Sequence, residues 1–392
     1  MRPSKKAVLA LFCALSLVVC ACAEKADVIK IGEYGSLTGT TATFGKSTDN
    51  GIQMAIEEIN SAGGIGGKKL LVIVEDDQGK PEEANTAVTK LVNQDRVAAV
   101  LGEVASSRSL AGAPVCQKAG VPMITPSSTN PKVTQVGDYI FRVCFIDPFQ
   151  GTVMAKFARD TLNLKKAAIL KDIKNDYSVG LADFFAGAFE KLGGTIVGDE
   201  SYSEGDIDFK AQLTSLRAKK PDVLFIPGYY TEVGLIAKQA RDLNFNVPLL
   251  GGDGWSSPKL TEIGGEALQN SYYSDHYSVE DQNPVVQQFA KLYQDKYHEV
   301  PRDGIAALAY DAAKILAQAM KTLSPEDLDN LTKSGKTQQD AQKKLRDAIA
   351  STKDFQGVTG TISLDENRNA VKPAVILKYE NGVYRYLTRI SP

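Results

Sequence analysis

The chain has 392 residues, 45 Lys and Arg against 47 Asp and Glu, and a hydrophobic fraction of 43%. The near-balanced charge, net −2, offers no basic stripe and argues against nucleic acid as a partner. There are only two histidines, His276 and His298, no CxxC pair and no metal-spaced cluster. No metal or cofactor is expected, and both histidines read as surface residues rather than ligands.

The first residues read as an export signal. Arg2, Lys5 and Lys6 precede a small, apolar stretch over 7–20. At about 14 residues that stretch is too short to span a bilayer comfortably. Ala21-Cys22-Ala23 fits cleavage before Glu24, and Cys22 is alternatively a lipidated first residue, since residues 19–22 loosely resemble a lipobox. The mature protein is therefore expected to be exported, either soluble or tethered through Cys22. Beyond residue 23 the chain carries 42 basic and 47 acidic side chains, net −5. Roughly 370 residues exceed one comfortable core, so two lobes are expected. Three of the five cysteines lie in the signal. Cys116 and Cys144 remain, either paired in an oxidising compartment or serving as two small buried hydrophobes.

VIKIGEYG (28–35) reads as a first strand. Ser47, Thr48 and Asp49 offer caps for a helix whose stripe is Ile52, Ala55, Ile56 and Ile59, stopped by Gly63-Gly64. LLVIVEDD (70–77) is a second strand, and Ala84, Ala87, Val88, Leu91 and Val92 mark the next helix. This rhythm runs to about residue 264 and implies parallel sheets covered by helices on both faces. Helices over 283–298, 304–321 and 338–351 break it, and the polar stretch 324–340 reads as an exposed connection. Residues 361–387 return to strands, with Asn381-Gly382 as a hairpin turn. No tandem repeat at solenoid periods is present.

Five short apolar runs end in small polar loops: 97–102 into EVASS (103–107), 122–125 into PSSTNP (126–131), 167–170 into KDIKNDY (171–177), 222–226 into PGYY (227–230) and 248–250 into GGDGW (251–255). In open α/β sheets ligands bind beyond the carboxyl ends of the strands. Ser106, Ser107, Ser127, Ser128 and Thr129 stand where helices begin, a place that favours an anion, although plain capping accounts for each loop alone. Asp253, ringed by glycines, suits an ammonium group or simply stabilises a turn. Tyr177 and Tyr229 are candidate cleft walls, and Phe44 a candidate cap on the apolar part of a ligand. Face to face, these loops would hold a small zwitterion.

Glu57-Glu58, Asp76-Asp77 and Glu82-Glu83 are adjacent carboxylates on different faces and read as solvated surface or strand-end charge. GxSxG, GxxxxGK[ST] and helix-opening GxGxxG motifs are absent. No nucleophile with a base in argued reach is found, which weighs against an enzyme.

At these loops the chain resembles the leucine/isoleucine/valine-binding protein family, the type I periplasmic substrate-binding components of amino-acid ABC importers. The resemblance rests on IGEYGSLTGTTATFG (31–45), GIQMAIEEINSAGGIGGKKL (51–70), SSTNP (127–131), FRVCFIDPFQG (141–151), FIPGYYTEVG (225–234) and GGDGW, in this order. It implies two doubly wound parallel-sheet lobes joined by a three-crossover hinge, lobe one over 24–146 and 276–374, lobe two over 147–275 and 375–392. It implies that Ser106, Ser127 and Thr129 take an amino-acid carboxylate, that Tyr229 and Asp253 meet the ammonium, and that Tyr177, Phe44 and Ile305 line the remainder. The family usually has Glu where Asp253 stands and an aromatic near Ile305. Trp255 adds bulk beside Asp253, and Gly79 and Ala105 replace a disulfide found in some members. These departures leave a branched-chain or other small neutral amino acid, or a close amino-carboxylate, as the ligand class. The implied partners are that ligand and a membrane permease, with the protein a monomer. A ligand sensor of the same fold, a binder of amides, urea or aromatic acids, and an exported hydrolase are the rival readings.

Overall fold

The computed structural model describes residues 28–391; the export signal and the alternatives at Cys22 lie outside the described residues. β1 (Val28–Gly35), β2 (Lys69–Asp76), β3 (Ala99–Leu101), β4 (Met123–Thr125) and β5 (Ile140–Arg142) form an all-parallel sheet in the order β2-β1-β3-β4-β5. Strand side chains alternate between faces. Ile29 and Ile31 pack with helices Ala42–Ser61 and Gly304–Lys321, while Tyr34 and Val100 pack on the other face with Pro81–Lys90 and Ser106–Ala119. A Cβ at Gly51 would stand 2.2 Å from the carbonyl oxygen of Ala306, so only glycine lets these first two helices cross this closely.

β6 (Lys166–Asp172), β7 (Thr195–Tyr202), β8 (Val223–Phe225), β9 (Leu249–Gly251) and β10 (Ser271–Asp275) repeat the pattern in the order β10-β9-β8-β6-β7. The hairpin β14 (Ala374–Glu380) and β15 (Val383–Ile390) extends this sheet antiparallel at β10. Its turn has φ 52° at Asn381 and 85° at Gly382, the two positive values a tight hairpin needs. β11 (Phe355–Gly357), β12 (Gly360–Leu364) and β13 (Ala370–Val371) make a small antiparallel sheet. The chain thus passes from the first large sheet to the second after β5, leaves it after β10, and returns between β13 and β14.

Several local expectations are corrected. Helix Ala42–Ser61 starts earlier than its stripe implied, so Ser47, Thr48 and Asp49 lie inside it, and Ser47 Oγ instead donates to Asp303 Oδ2 at 2.9 Å. Residues 324–340 are not simply an exposed connection: helix Pro325–Asn330 forms there, and Leu328 and Leu331 are buried in the first-sheet core. Cys116 and Cys144 are free and buried, each in a different core cluster of the first sheet. Burial pushes the Cys144 thiol up to about 12. Asp77 is not solvated. It is fully buried, accepting from Ser36 Oγ at 3.0 Å, because β1 and β3 bring Ser36 and Glu103 against it. His276 is buried at 2% exposure rather than at the surface; His298, in contrast, is exposed at a helix end.

Candidate functional site

In each large sheet the strand order reverses beside the strand that comes first in the chain, at β1/β3 and at β6/β8. Such switch points open a crevice at the carboxyl ends of the strands. The two crevices face each other. Thr43 Oγ1 lies 2.9 Å from Ser257 Oγ, Thr231 Oγ1 donates to the Thr40 carbonyl at 2.7 Å, and Ser107 Oγ donates to Asp176 Oδ2 at 2.8 Å. Asn130 Nδ2 donates to the Asp176 carbonyl at 2.8 Å.

Between them lies a chamber lined by Phe44, Val104, Ser127, Tyr177, Tyr229, Asp253, Gly254 and Ile305. Each sits where a strand ends or a helix begins, so backbone geometry aims it inward. The void is tight, ≈10 Å³, room for about one water. A depression of ≈410 Å³ along helix Gly304–Lys321 is far larger, but it lacks this convergence of acid, hydroxyl and aromatic groups. Tyr177 and Tyr229 stack with centroids 5.4 Å apart, and Phe44 meets Tyr229 and Tyr230 edge-on at 5.5 and 4.9 Å. The Tyr177 hydroxyl accepts from the Gly254 N–H at 3.0 Å, tying the wall to the turn that carries Asp253.

Asp253 is the charged centre of the chamber. Gln150 Nε2 donates to its Oδ1 at 2.9 Å, His276 Nε2 lies 3.2 Å from its Oδ2, and Ser127 Oγ donates to the same Oδ2 across the cleft at 3.4 Å. Burial pushes His276 down to about 4, against the pull of Asp253, so its ring is neutral. Asp147 is fully buried beside Thr129, and burial, reinforced by the charge of Asp253, raises it well above the usual carboxylate range.

Six of the ten expected residues line the chamber: Phe44, Ser127, Tyr177, Tyr229, Asp253 and Ile305. Ser106 and Thr129 stand just behind it. Ser106 Oγ accepts from the Asn130 N–H at 3.2 Å, and Thr129 Oγ1 has no hydrogen-bond partner. Ser128 faces inward to its own lobe, donating to the carbonyls of Glu103 and Val104 at 3.0 Å each and so knotting two loops together. Trp255 lies in the second-sheet core, where Nε1 donates to the Ile226 carbonyl at 2.9 Å. Val104, Gln150 and His276 were missed in the sequence. Gln150 lies in the quoted FRVCFIDPFQG segment, but nothing local marks it as a partner of Asp253.

One wall of the chamber thus carries the Ser127 hydroxyl, backed by Ser106 at the N-terminus of helix Ser106–Ala119, whose dipole favours a negative group, and the opposite wall carries the buried Asp253 carboxylate. A family model described as periplasmic binding protein matches residues 28–383. A Leu/Ile/Val-binding protein homolog 3 from Brucella melitensis is 31% identical over 356 residues, covering 90% of this chain and 92% of that protein. The leucine binding protein LivK of Thermotoga maritima is 38% identical with a TM-score of 0.85, over 93% of this chain and 99% of that one. The branched-chain amino acid transporter substrate binding protein LivJ of Streptococcus pneumoniae, solved in complex with isoleucine, is 35% identical with a TM-score of 0.85, over 93% and 100%. The chain is therefore a binding protein and not an enzyme, and it belongs to the leucine/isoleucine/valine-binding family of type I periplasmic binding proteins.

Proposed function

We propose that the protein is the periplasmic substrate-binding component of an ABC importer, capturing a branched-chain or other small neutral amino acid between two lobes that close like a clamshell. The lobes are residues 24–146 with 276–374 and residues 147–275 with 375–392. The observation that carries this reading is the Ser127–Asp253 contact, a hydroxyl on one lobe against a carboxylate on the other at 3.4 Å. An incoming ammonium group displaces the Ser127 hydroxyl from Asp253 with a stronger, charge-assisted bond. Ser127, Ser106 and Thr129 then turn to the ligand carboxylate. Phe44, Val104 and Ile305 receive an aliphatic side chain. The tight void requires the lobes to part for entry, and only the closed form makes both sets of polar contacts, so ligand shifts the population toward closure. A membrane permease reads the closed shape.

The test is a thermal-shift screen of the chain from Glu24 onward, unfolded and refolded to strip carried ligand, against the amino acids, γ-aminobutyrate, amides, urea and aromatic acids. A ligand of the native state raises Tm by mass action. Shifts confined to amino acids are expected. Asp253→Asn is expected to shrink them, because an unpaired buried ammonium costs about 3–5 kcal/mol, a hundredfold or more in affinity. Shifts only with amides or aromatic acids, or an unchanged Asp253→Asn protein, would overturn the reading.

A further inference from the structure

We infer that His276 is a positioning residue for ligand recognition: it holds the Asp253 carboxylate toward the chamber and ties that carboxylate to the hinge. The inference rests on the reading that Asp253 meets the ammonium group of the ligand. His276 is the first residue after β10, on the segment where the chain leaves the second sheet. Its ring stacks on Phe145, which follows β5 on the first crossing, with centroids 3.7 Å apart and planes 27° apart. Its Nε2 lies 3.2 Å from Asp253 Oδ2. One imidazole therefore touches two of the three crossings and the charged centre of the chamber.

The tautomer follows from the partners. A neutral imidazole carries one N–H and one lone pair. Nδ1 has no hydrogen-bond partner. With the proton on Nε2, the ring donates to a carboxylate oxygen and leaves only an acceptor unpaired. With the proton on Nδ1, a lone pair would face the carboxylate and a buried N–H would go unused, at greater cost. The Nε2–H form is the one this site selects.

A second tie runs parallel to the first. The His276 N–H donates to Asp275 Oδ1 at 2.6 Å, Ser256 Oγ donates to Asp275 Oδ2 at 2.5 Å, and the Gly304 N–H donates to Ser256 Oγ at 2.8 Å. Gly304 opens the helix that carries Ile305. The turn of Asp253 is thus fixed to the second crossing at two points. Two other neutral donors reach Asp253: Ser127, which follows β4, and Gln150 on helix Asp147–Lys156, which packs against the second-sheet core and β10; neither lies on the crossing that follows β10. Movement of the crossing on closure passes to Asp253 through His276.

Two measurements test this. The first is the ¹⁵N side-chain NMR spectrum of the ligand-free His298→Asn protein, in which His276 is the one remaining histidine. A neutral Nε2–H ring at pH 7 is expected; a neutral Nδ1–H or a charged ring overturns the assignment. The second is calorimetric binding of L-leucine by the wild type, His276→Leu, His276→Gln, Asp253→Asn and the double variant His276→Leu/Asp253→Asn, with each fold checked by circular dichroism. Loss of a hydrogen bond to a charged group predicts about 10- to 100-fold weaker binding for His276→Leu. His276→Gln, which keeps a donor, should recover most of it. In the Asp253→Asn background, His276→Leu should cost less than about threefold, because a residue acting through another is non-additive with it. Equal losses in both backgrounds, or wild-type affinity in His276→Leu, overturn the proposal alone. Unchanged affinity in Asp253→Asn overturns the reading of Asp253 and the proposal with it. The NMR result stands whether or not the leucine variant folds.

Discussion

Arg108 and Glu204 meet across the cleft at 2.9 Å, and their environments are unequal: the Arg108 side chain is 2% exposed and that of Glu204 28%. Arg108 also donates to Ser36 Oγ at 3.2 Å and Thr41 Oγ1 at 2.9 Å, and Glu103 lies close enough to favour its charge. If the lobes part as proposed, Arg108 keeps Ser36 and Thr41 as partners on its own side of the cleft, and Glu204 meets water. On the proposed clamshell reading, the pair can break without stranding a charge and so favours closure. Glu204→Gln is predicted to weaken ligand binding roughly fivefold, about 1 kcal/mol. The change should appear as faster release in stopped-flow experiments. Wild-type affinity and release in Glu204→Gln would show that the pair does not bias closure.

Gly251 and Trp255 give a second prediction. A Cβ at Gly251 would stand 2.1 Å from Trp255 Cε2 and 2.3 Å from Nε1. The indole cannot retreat, because it is fully buried and its Nε1 is bonded to the Ile226 carbonyl. Gly251→Ala is predicted to destabilise the fold by about 1–3 kcal/mol, the usual range for overpacking. Urea unfolding followed through Trp255, the single tryptophan, measures this directly. Ligand affinity should fall as well, since the strain falls on the strand end and turn that carry Asp253.

Asp275 provides a pH test. Burial, as the largest cause, raises its carboxyl to about 8. In the unfolded chain it titrates near 4. Between those values the folded protein holds a proton that the unfolded chain has released, so the folded state binds more protons. Its contribution to stability is therefore fully present below about pH 4 and is lost as pH rises through about 8. Glu103, also raised to about 8 chiefly by burial, acts in the same direction. His276, lowered to about 4, acts oppositely between about pH 4 and 6.5. Asp275→Asn removes one of the falling contributions. The drop in Tm between pH 5 and pH 8 is predicted to be smaller in this variant than in the wild type. An undiminished drop would show that Asp275 ionises freely in the folded protein.

The alternating strands and helices were legible because their signals are local. The spacing of Ile52, Ala55, Ile56 and Ile59 identifies the buried face of its helix wherever that helix packs, and all four are buried. Asn381-Gly382 specifies its turn by backbone preference alone. The loops at the ends of four β-runs carry Ser127, Tyr177, Tyr229 and Asp253, which line one chamber because a parallel sheet delivers every strand's carboxyl end to one side.

The sequence by itself determined the segment periods, the turn and the chemistry available at the loop tips, all set within a few residues by backbone sterics and apolar spacing. Only the tertiary structure decided which of those groups face one another and which charges are buried. Asp77 is legible as a solvated strand end until β1 and β3 set Ser36 and Glu103 against it. His276 has nothing local to mark it, because its burial comes from a ring on the first crossing and its hydrogen bond from the turn after β9. Burial and pairing depend on neighbours distant in the chain, and the solvation that shifts a proton or exposes a carboxylate is a property of the packed surroundings rather than of the residue.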